Sequence, residues 1–246
     1  NPRGGERRIA CKQIVLAIGG TDFPRKLGIP GDDLPHVDGY LREPHNYYGR
    51  KLLIVGGKNS AVEAALRCHH AGANVSLSYR RDALPERSIK YWLYPEITGL
   101  MKAGRIGEHL GTVPTKITPT HVTLQPVMQN GGGSSVSFEP AGESYDVEAD
   151  EVLSLIGYRQ RSDLFEAAGI EMNGDERMPT FDEDTMQTNV PGIYVAGTAI
   201  GGTQMRFKVF LENCHVHAKR IARHITGENV AEDAELPANV VAQPES

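Results

Sequence analysis

The sequence predicts an α/β fold that contains a dinucleotide-binding domain of the Rossmann type. The apolar run Lys51–Val55 is typical of a buried parallel strand. Gly56 and Gly57 follow it directly, and the alanine-rich stretch from there to Gly72 is typical of a helix that begins at a glycine turn. A second strand, Asn74–Tyr79, comes directly after that helix, as expected for a strand-helix-strand unit.

The turn after the first strand fits the G-x-x-x-x-A form of a dinucleotide fingerprint. Gly56 permits a tight turn, Lys58 stands where a second glycine is usual, and the small Ala61 lets the helix pack closely on the strand. Backbone N–H groups at the start of the helix can bind a pyrophosphate. Any strand-turn-helix crossover favours glycine here, so this fingerprint is weak evidence alone. The candidate cofactor-binding residues of the turn are Gly56, Gly57, Lys58, Asn59, Ser60 and Ala61.

Arg80 and Arg81 follow the second strand, about twenty residues beyond the glycine turn. At this point an NAD site carries an acidic residue for the ribose 2′-hydroxyl, whereas an NADP site carries arginine for the 2′-phosphate. Arginine matches phosphate with a planar, bidentate set of donors. The sequence therefore predicts NADPH rather than NADH. The alternative is that both arginines belong to an ordinary solvated turn.

Charge and cysteine content narrow the classes of function. The 246 residues carry a formal net charge of −5 with scattered signs, which argues against a nucleic-acid partner. No apolar run approaches the ~18 residues of a membrane span and no signal peptide is present, so we expect a cytoplasmic protein without a membrane partner. The cysteines, Cys11, Cys68 and Cys214, are far apart, which argues against a disulfide scaffold or a metal site. The chain begins with Asn1-Pro2 and is expected to be a fragment.

The rest of the chain is predicted to alternate between strands, helices and loops. Pro24, Pro30 and Gly31 indicate a loop after the first strand, and a glycine-serine run indicates a hairpin loop. The predicted elements are a strand over residues 9–18, a helix near 88–103, a hairpin loop over 131–135, a helix over 163–168, a buried strand over 192–196, and a final helix from about Lys208 to His224.

Together these blocks resemble the two-domain flavoprotein reductases of the thioredoxin-reductase class. Residues 15–20 (V-L-A-I-G-G) are similar to the segment that returns the chain from the FAD domain, and residues 189–197 (N-V-P-G-I-Y-V-A-G) to the second FAD motif. The resemblance implies two Rossmann-like three-layer dinucleotide-binding domains, with an NADPH domain inserted into an FAD domain. The FAD domain is expected to be incomplete, because its first strand-turn-helix is absent from this sequence.

The resemblance also divides the chain into four segments and implies further site residues. Residues 1–42 correspond to the end of the first FAD segment, 43–155 to the NADPH domain, 156–227 to the second FAD segment, and 228–246 to a mobile acidic tail. The implied cofactors are FAD and NADPH. The additional candidate cofactor-binding residues are Gly19, Gly20, Gly157, Tyr158, Gly197 and Thr198.

Departures from the class decide between its members. Thioredoxin reductases carry C-x-x-C before the NADPH turn, but residues 40–45 contain no cysteine, so ordinary thioredoxin reduction is excluded. Residues 43–51, 56–66, 88–95, 156–158 and 210–213 are instead similar to the bacillithiol-disulfide reductase family. That resemblance implies reduction of a small-molecule thiol disulfide, bacillithiol disulfide, by NADPH through FAD. Thr198 stands where thioredoxin reductases have an aspartate that binds the FAD ribityl chain, which leaves that one contact in doubt.

Two other functions remain open. The first is a ferredoxin- or flavodoxin-NADP reductase, which also lacks C-x-x-C but usually keeps three glycines in the turn. The second is a non-enzymatic fragment that only binds NADPH. No catalytic residue is assigned. Cys214, near the start of the last helix, is the candidate thiol, because a helix N-terminus favours thiolate. Cys11 and Cys68 are expected to be small buried hydrophobes. His215 and His217 are expected to pack or face solvent rather than to donate protons. Trp92 is expected to pack, the alternative being that it lines the nicotinamide site, and a homo-oligomer is left open.

Overall fold

The computed structural model describes residues 8–131, 136–203, 209 and 213–228. Within these ranges the chain forms two compact units: the first contains residues 8–23 and 159–228, and the second contains 24–158. None of the helices in the described ranges has the length and hydrophobicity that crossing a membrane requires.

The strands are β1 (Ile14–Leu16), β2 (Phe23–Pro24), β3 (Val37–Asp38), β4 (Lys51–Val55), β5 (Asn74–Tyr79), β6 (Gly107–Leu110), β7 (Thr112–Ile117), β8 (His121–Asn130), β9 (Ser137–Pro140), β10 (Tyr145–Glu148), β11 (Glu151–Ser154), β12 (Tyr158–Arg159), β13 (Met172–Asn173), β14 (Met178–Pro179) and β15 (Ile193–Val195). The α-helices are α1 (Asn59–His70), α2 (Tyr94–Lys102), α3 (Asp163–Ala167) and α4 (His215–Thr226). Short 3-10 helices cover Pro44–Tyr47, Glu86–Ser88 and Gly197–Gly201.

The second unit is built on a parallel sheet with the strand order β3-β11-β4-β5-β6. Chain order runs from β4 to β5 to β6 in one direction, and then β11 returns to the other side of β4. In open α/β sheets, ligands bind outside the carboxyl ends of the strands at such a reversal. The gap between the ends of β4 and β11 is therefore where the topology alone places a ligand.

Both faces of this sheet are covered, which explains why its strands are apolar on both sides. Leu52 and Ile54 of β4 pack beneath α1 and α2. Leu53 and Val55, which point the other way, pack against Val122 of the antiparallel sheet formed by β7, β8, β9 and β10. The unit thus has three layers, and the predicted α/β fold class is confirmed.

The first unit has a small core of its own. β1 pairs in parallel with β15, and Leu16 and Val195 from these strands pack with the fully buried Phe165 of α3. β13 and β14 form a short antiparallel ladder. Ile14 and Val15 of β1 remain 44% and 46% exposed.

The predicted elements around the glycine turn are confirmed, as are α3 and the strand over 193–195. The first strand is shorter than predicted, because only three residues pair with β15. Cys11 consequently lies outside β1 and is exposed, so the expectation that it is a buried strand residue was wrong. α2 begins at Tyr94 rather than near residue 88, with Pro95 in its first turn.

Some predictions fall partly on residues that are not described. α4 begins at His215. Its predicted start at Lys208 lies outside the described residues, and so do residues 210–212. β8 and β9 pair as a hairpin, but residues 132–135 of its predicted loop are outside the described ranges. The same holds for residues 229–246 of the predicted tail.

The division into units falls at other positions than the predicted boundaries at 42/43 and 155/156. The chain passes from one unit to the other within β2 and within β12. Leu27, Ile29 and Leu34 from the Pro/Gly loop pack on the face of the parallel sheet that is opposite α1 and α2. In addition, β3 pairs with β11. These contacts place residues 24–42 in the second unit.

Gly56→Ala should destabilise the protein, because Gly56 has φ +147° and an added Cβ would lie 2.5 Å from the Leu155 carbonyl oxygen. We expect a loss of about 2 kcal/mol or more in the free energy of unfolding, measured with urea. The matched control is Gly99→Ala in α2, where an added Cβ meets open space. That change should stabilise the protein by about 0.5–1 kcal/mol. Equal stability of the two variants would contradict this account of the turn.

Candidate dinucleotide-binding site

Gly56 joins three elements at the edge of the parallel sheet. Its N–H donates to the Ser78 carbonyl at the end of β5, at 2.9 Å. An added Cβ would lie 2.5 Å from the Leu155 carbonyl oxygen beyond β11 and 2.9 Å from the Cβ of Ala61 in α1. A side chain at Gly56 would therefore push β11 and α1 away from the turn, and any residue larger than alanine at Ala61 would do the same.

Gly57 packs against an aromatic ring. An added Cβ would lie 2.4–2.7 Å from three ring atoms of Tyr79, the last residue of β5. The absence of a side chain at Gly57 lets Tyr79 cover the turn. Arg80 and Arg81, which follow Tyr79, are brought to the same edge of the sheet by this contact.

The amino end of α1 faces the same edge. Lys58 precedes the helix with φ −109°, a conformation that any residue adopts, and its carbonyl accepts from the Val62 N–H at 3.0 Å. Asn59 is buried, and its Oδ1 accepts a hydrogen bond from the backbone N–H of Lys90 at 2.8 Å. The first N–H groups of a helix have no acceptor within the helix, so this end can bind an anion.

Four cationic side chains lie around this turn. Desolvation by the surrounding protein lowers the pKa of the Lys58 ammonium, and repulsion from Arg80, Arg81 and Arg25 lowers that pKa further. Among the residues that the structure describes, no carboxylate forms an ion pair with Lys58, Arg80 or Arg81. Arg80 lies over the ring of Phe138, 5.0 Å from its centroid. Such a concentration of positive charge suits a ligand that carries several phosphate charges.

Gly157 and Tyr158 lie in the second unit, shortly after β11, and Tyr158 is the first residue of β12. Leu155 N–H donates to the Val55 carbonyl at 2.8 Å, so the residues that follow β11 run beside the Gly56 turn. Tyr158 stacks on Tyr40 with a centroid distance of 5.5 Å. The sequence predicted that both residues belong to a segment that begins at 156, whereas the structure groups them with the second unit.

Gly19, Gly20, Gly197 and Thr198 come together in the first unit. A Cβ on Gly20 would lie 3.4 Å from the Thr198 carbonyl oxygen. Gln160 links the two motifs, because its Nε2 donates to the carbonyls of Gly19 and Ala199, each at 2.8 Å. Its Oε1 is buried and has no hydrogen-bond partner within the described residues. Gln160 was not predicted, since nothing in the local sequence marks it as a bridge.

His217 has a more specific role than packing. It is buried, and its Nδ1 accepts a hydrogen bond from the Gly197 N–H at 3.0 Å. Burial lowers the pKa of the His217 imidazole, and the charges of Arg220 and His215 lower that pKa further. The neutral ring therefore holds the start of the 3-10 helix at Gly197.

The cysteines and Trp92, which the sequence analysis also considered, differ in how far they are buried. Burial raises the pKa of the Cys68 thiol to about 11, which confirms it as a small buried hydrophobe. Cys214 is buried directly before α4, with Sγ 3.9 Å from Asn213 Oδ1. Trp92 is 51% exposed and forms a T-shaped pair with Tyr91, so it is not a packing residue. Within the described ranges, no group of His, Cys, Asp and Glu is arranged to hold a metal ion.

Comparison with known proteins gives consistent matches. Residues 5–197 match the family model described as pyridine nucleotide-disulphide oxidoreductase. Bacilliredoxin reductase Bdr of Bacillus subtilis (strain 168) is 34% identical over 211 residues, which cover 86% of this chain and 60% of that protein. A ferredoxin–NADP reductase of Ignicoccus hospitalis is 30% identical over 191 residues, 76% of this chain and 55% of that protein.

Comparison with solved structures also finds a Bdr protein. The structure of bacillithiol disulfide reductase Bdr (YpdA) from Staphylococcus aureus superposes with a TM-score of 0.75 at 31% identity, covering 88% of this chain and 63% of that chain. The present chain thus spans less than two thirds of the length of these relatives.

The hydrogen bond from Gly197 to His217 should weaken as the pH falls. The folded-state pKa of His217 is below the unfolded value of about 6.5, so its stabilising effect is complete above that pH and is lost as the pH drops through the folded pKa. The hydrogen-exchange protection factor of the Gly197 amide should therefore fall as the pH drops below about 6.5 and through the lower folded-state pKa of His217. His217→Asn offers an acceptor oxygen that does not titrate and should remove this pH dependence. The exposed His215→Asn is the control and should retain it. A pH-independent wild type would refute the prediction.

Proposed function

This chain belongs to the pyridine nucleotide-disulphide oxidoreductase family, and we propose that it is part of an enzyme that uses NADPH and FAD to reduce a low-molecular-weight thiol disulfide. The observation that carries the proposal is the group of cations around the Gly56 turn, with no carboxylate paired to Lys58, Arg80 or Arg81 among the described residues. The proposed substrate, bacillithiol disulfide, is the one for which the S. aureus relative is named.

The residues of the second unit fit NADPH. Gly56 has no side chain to obstruct the backbone, and the amino end of α1 can donate to the pyrophosphate. Arg80 and Arg81 are placed at the end of β5, where the 2′-phosphate of NADPH would lie. The negative charge of the bound phosphate would offset the repulsion among the four cations.

The residues of the first unit fit one side of an FAD site. Gly19 and Gly197 have positive φ and would each have open space beside a Cβ, so a ligand can approach the backbone closely. Gln160 and His217 hold these two glycine motifs in place through three hydrogen bonds. When bound, FAD supplies the two-electron chemistry that links a nicotinamide to a disulfide.

A disulfide substrate requires no further reductant. NADPH and a proton together reduce RSSR to two RSH and leave NADP⁺. Residues 40–45 lie in the second unit without a cysteine, so the electrons are not expected to leave through a local C-x-x-C. The alternative is a ferredoxin-NADP reductase; the I. hospitalis relative with that name is 30% identical, against 34% for the B. subtilis relative.

Arg80→Ala should weaken NADP⁺ binding about ten- to a hundredfold, because a charge-assisted pair is lost. NAD⁺ has no 2′-phosphate, so its affinity should change by no more than about twofold. Titration calorimetry on the 246-residue chain measures both constants. Arg105→Ala is the matched control: it precedes β6, at the opposite edge of the sheet, and should affect neither ligand. Equal wild-type affinity for NADP⁺ and NAD⁺ would overturn the NADPH assignment.

The substrate assignment is tested by counting thiols. With NADPH and saturating added FAD, the protein should release two thiols from each bacillithiol disulfide for each NADPH oxidised. Reduced ferredoxin should not accumulate under the same conditions. Added FAD keeps the flavin site saturated throughout the assay. Ferredoxin reduction without thiol release would select the alternative function.

A further inference from the structure

Arg25 lies at the nucleotide site although no fingerprint marks it in the sequence. Its backbone N–H donates to the Gly157 carbonyl at 2.9 Å, and its Nε donates to the Tyr158 carbonyl at 3.1 Å. Both acceptors lie shortly beyond the end of β11 at Ser154. The Arg25 side chain therefore runs along the segment that follows that strand.

Gly157 lies beside the Arg25 side chain. It has φ +103°, a conformation that favours glycine, and an added Cβ would make ordinary van der Waals contact with the Arg25 Nε at 3.7 Å and with its Cδ at 3.8 Å. β11 pairs with β4 in the register Ser154↔Val55, so Gly157 and Gly56 follow adjacent strand ends. Arg25 thus borders the gap between β4 and β11, on the side away from Arg80.

The charge of Arg25 acts on the same turn as the two arginines after β5. It contributes to the repulsion that lowers the pKa of Lys58. An arginine has five N–H donors, so a side chain that uses Nε to bond a carbonyl can also bond a phosphate. Across a Rossmann sheet, the dinucleotide spans the reversal point, with its 2′-phosphate at the end of the second strand and its nicotinamide half toward the fourth. β5 and β11 hold those two places here.

We propose that Arg25 binds the nicotinamide-side phosphate of the NADPH pyrophosphate from the β11 edge. This inference rests on the proposed function, and it assigns the two halves of the cofactor to different arginines. Arg80 and Arg81 read the 2′-phosphate, whereas Arg25 recognises a phosphate that NADP⁺ and NAD⁺ share. Lys58 lies between them.

The test uses three ligands on the 246-residue chain: NADP⁺, NAD⁺ and 2′,5′-ADP, which lacks the nicotinamide-side phosphate. Arg25→Gln should weaken NADP⁺ and NAD⁺ by the same factor, about ten- to a hundredfold, and change 2′,5′-ADP by no more than about twofold. Arg80→Gln should give the complementary pattern, with losses for NADP⁺ and 2′,5′-ADP but not for NAD⁺. Calorimetry gives all the dissociation constants.

Lys26→Gln is the matched control, because Lys26 is the adjacent cation and its Nζ bonds the Asp32 carbonyl instead. It should leave all three affinities unchanged. Unaltered binding of 2′,5′-ADP to Arg25→Gln shows that the variant is folded. Equal weakening of all three ligands, or no weakening of any, overturns the role of Arg25. A wild-type chain that binds neither NADP⁺ nor 2′,5′-ADP would instead refute the proposed function itself.

Discussion

The candidate nucleotide site depends on how closely Gly56 approaches the end of β11. A Cβ on Gly56 would lie 2.5 Å from the Leu155 carbonyl oxygen and 2.9 Å from the Cβ of Ala61 in α1. The parallel pairing of β4 with β5 and β11 brings all three strand ends to this point. If the turn were wider, the arginines after β5 and the arginine held at β11 would no longer face a common ligand.

The charges at the turn oppose folding. Desolvation lowers the pKa of Lys58, and repulsion from Arg80, Arg81 and Arg25 lowers that pKa further. A cluster of this kind contributes nothing to the stability of the unliganded protein. Sequences keep such unfavourable arrangements mainly at functional sites, where a ligand of opposite charge offsets the repulsion.

The parts of the structure that the sequence predicted are those specified by local pattern. The strand, turn and helix around Gly56 follow from apolar periodicity and from glycine. The unit boundary near residue 24 could not be predicted, because Leu27 and Ile29 sit in a Pro/Gly loop without periodicity and pack on a distant sheet. Gln160 bonds a carbonyl 141 residues away, and no local signal carries such a contact. The site roles of the glycines, of Lys58 and of the arginines stay predictions until ligand binding is measured.

Lys58 shows how the fingerprint can change without loss of the turn. The usual second glycine lets the backbone approach the pyrophosphate, but the backbone at Lys58, with φ −109°, does not need glycine. The steric requirement falls on Gly56 and Gly57, where a Cβ would meet Leu155 and Tyr79. The position between this turn and α1 is therefore free to carry a charge. If the turn binds a pyrophosphate as proposed, a lysine there would offer electrostatic attraction in place of close backbone approach, and Arg80, Arg81 and Arg25 would add to that attraction.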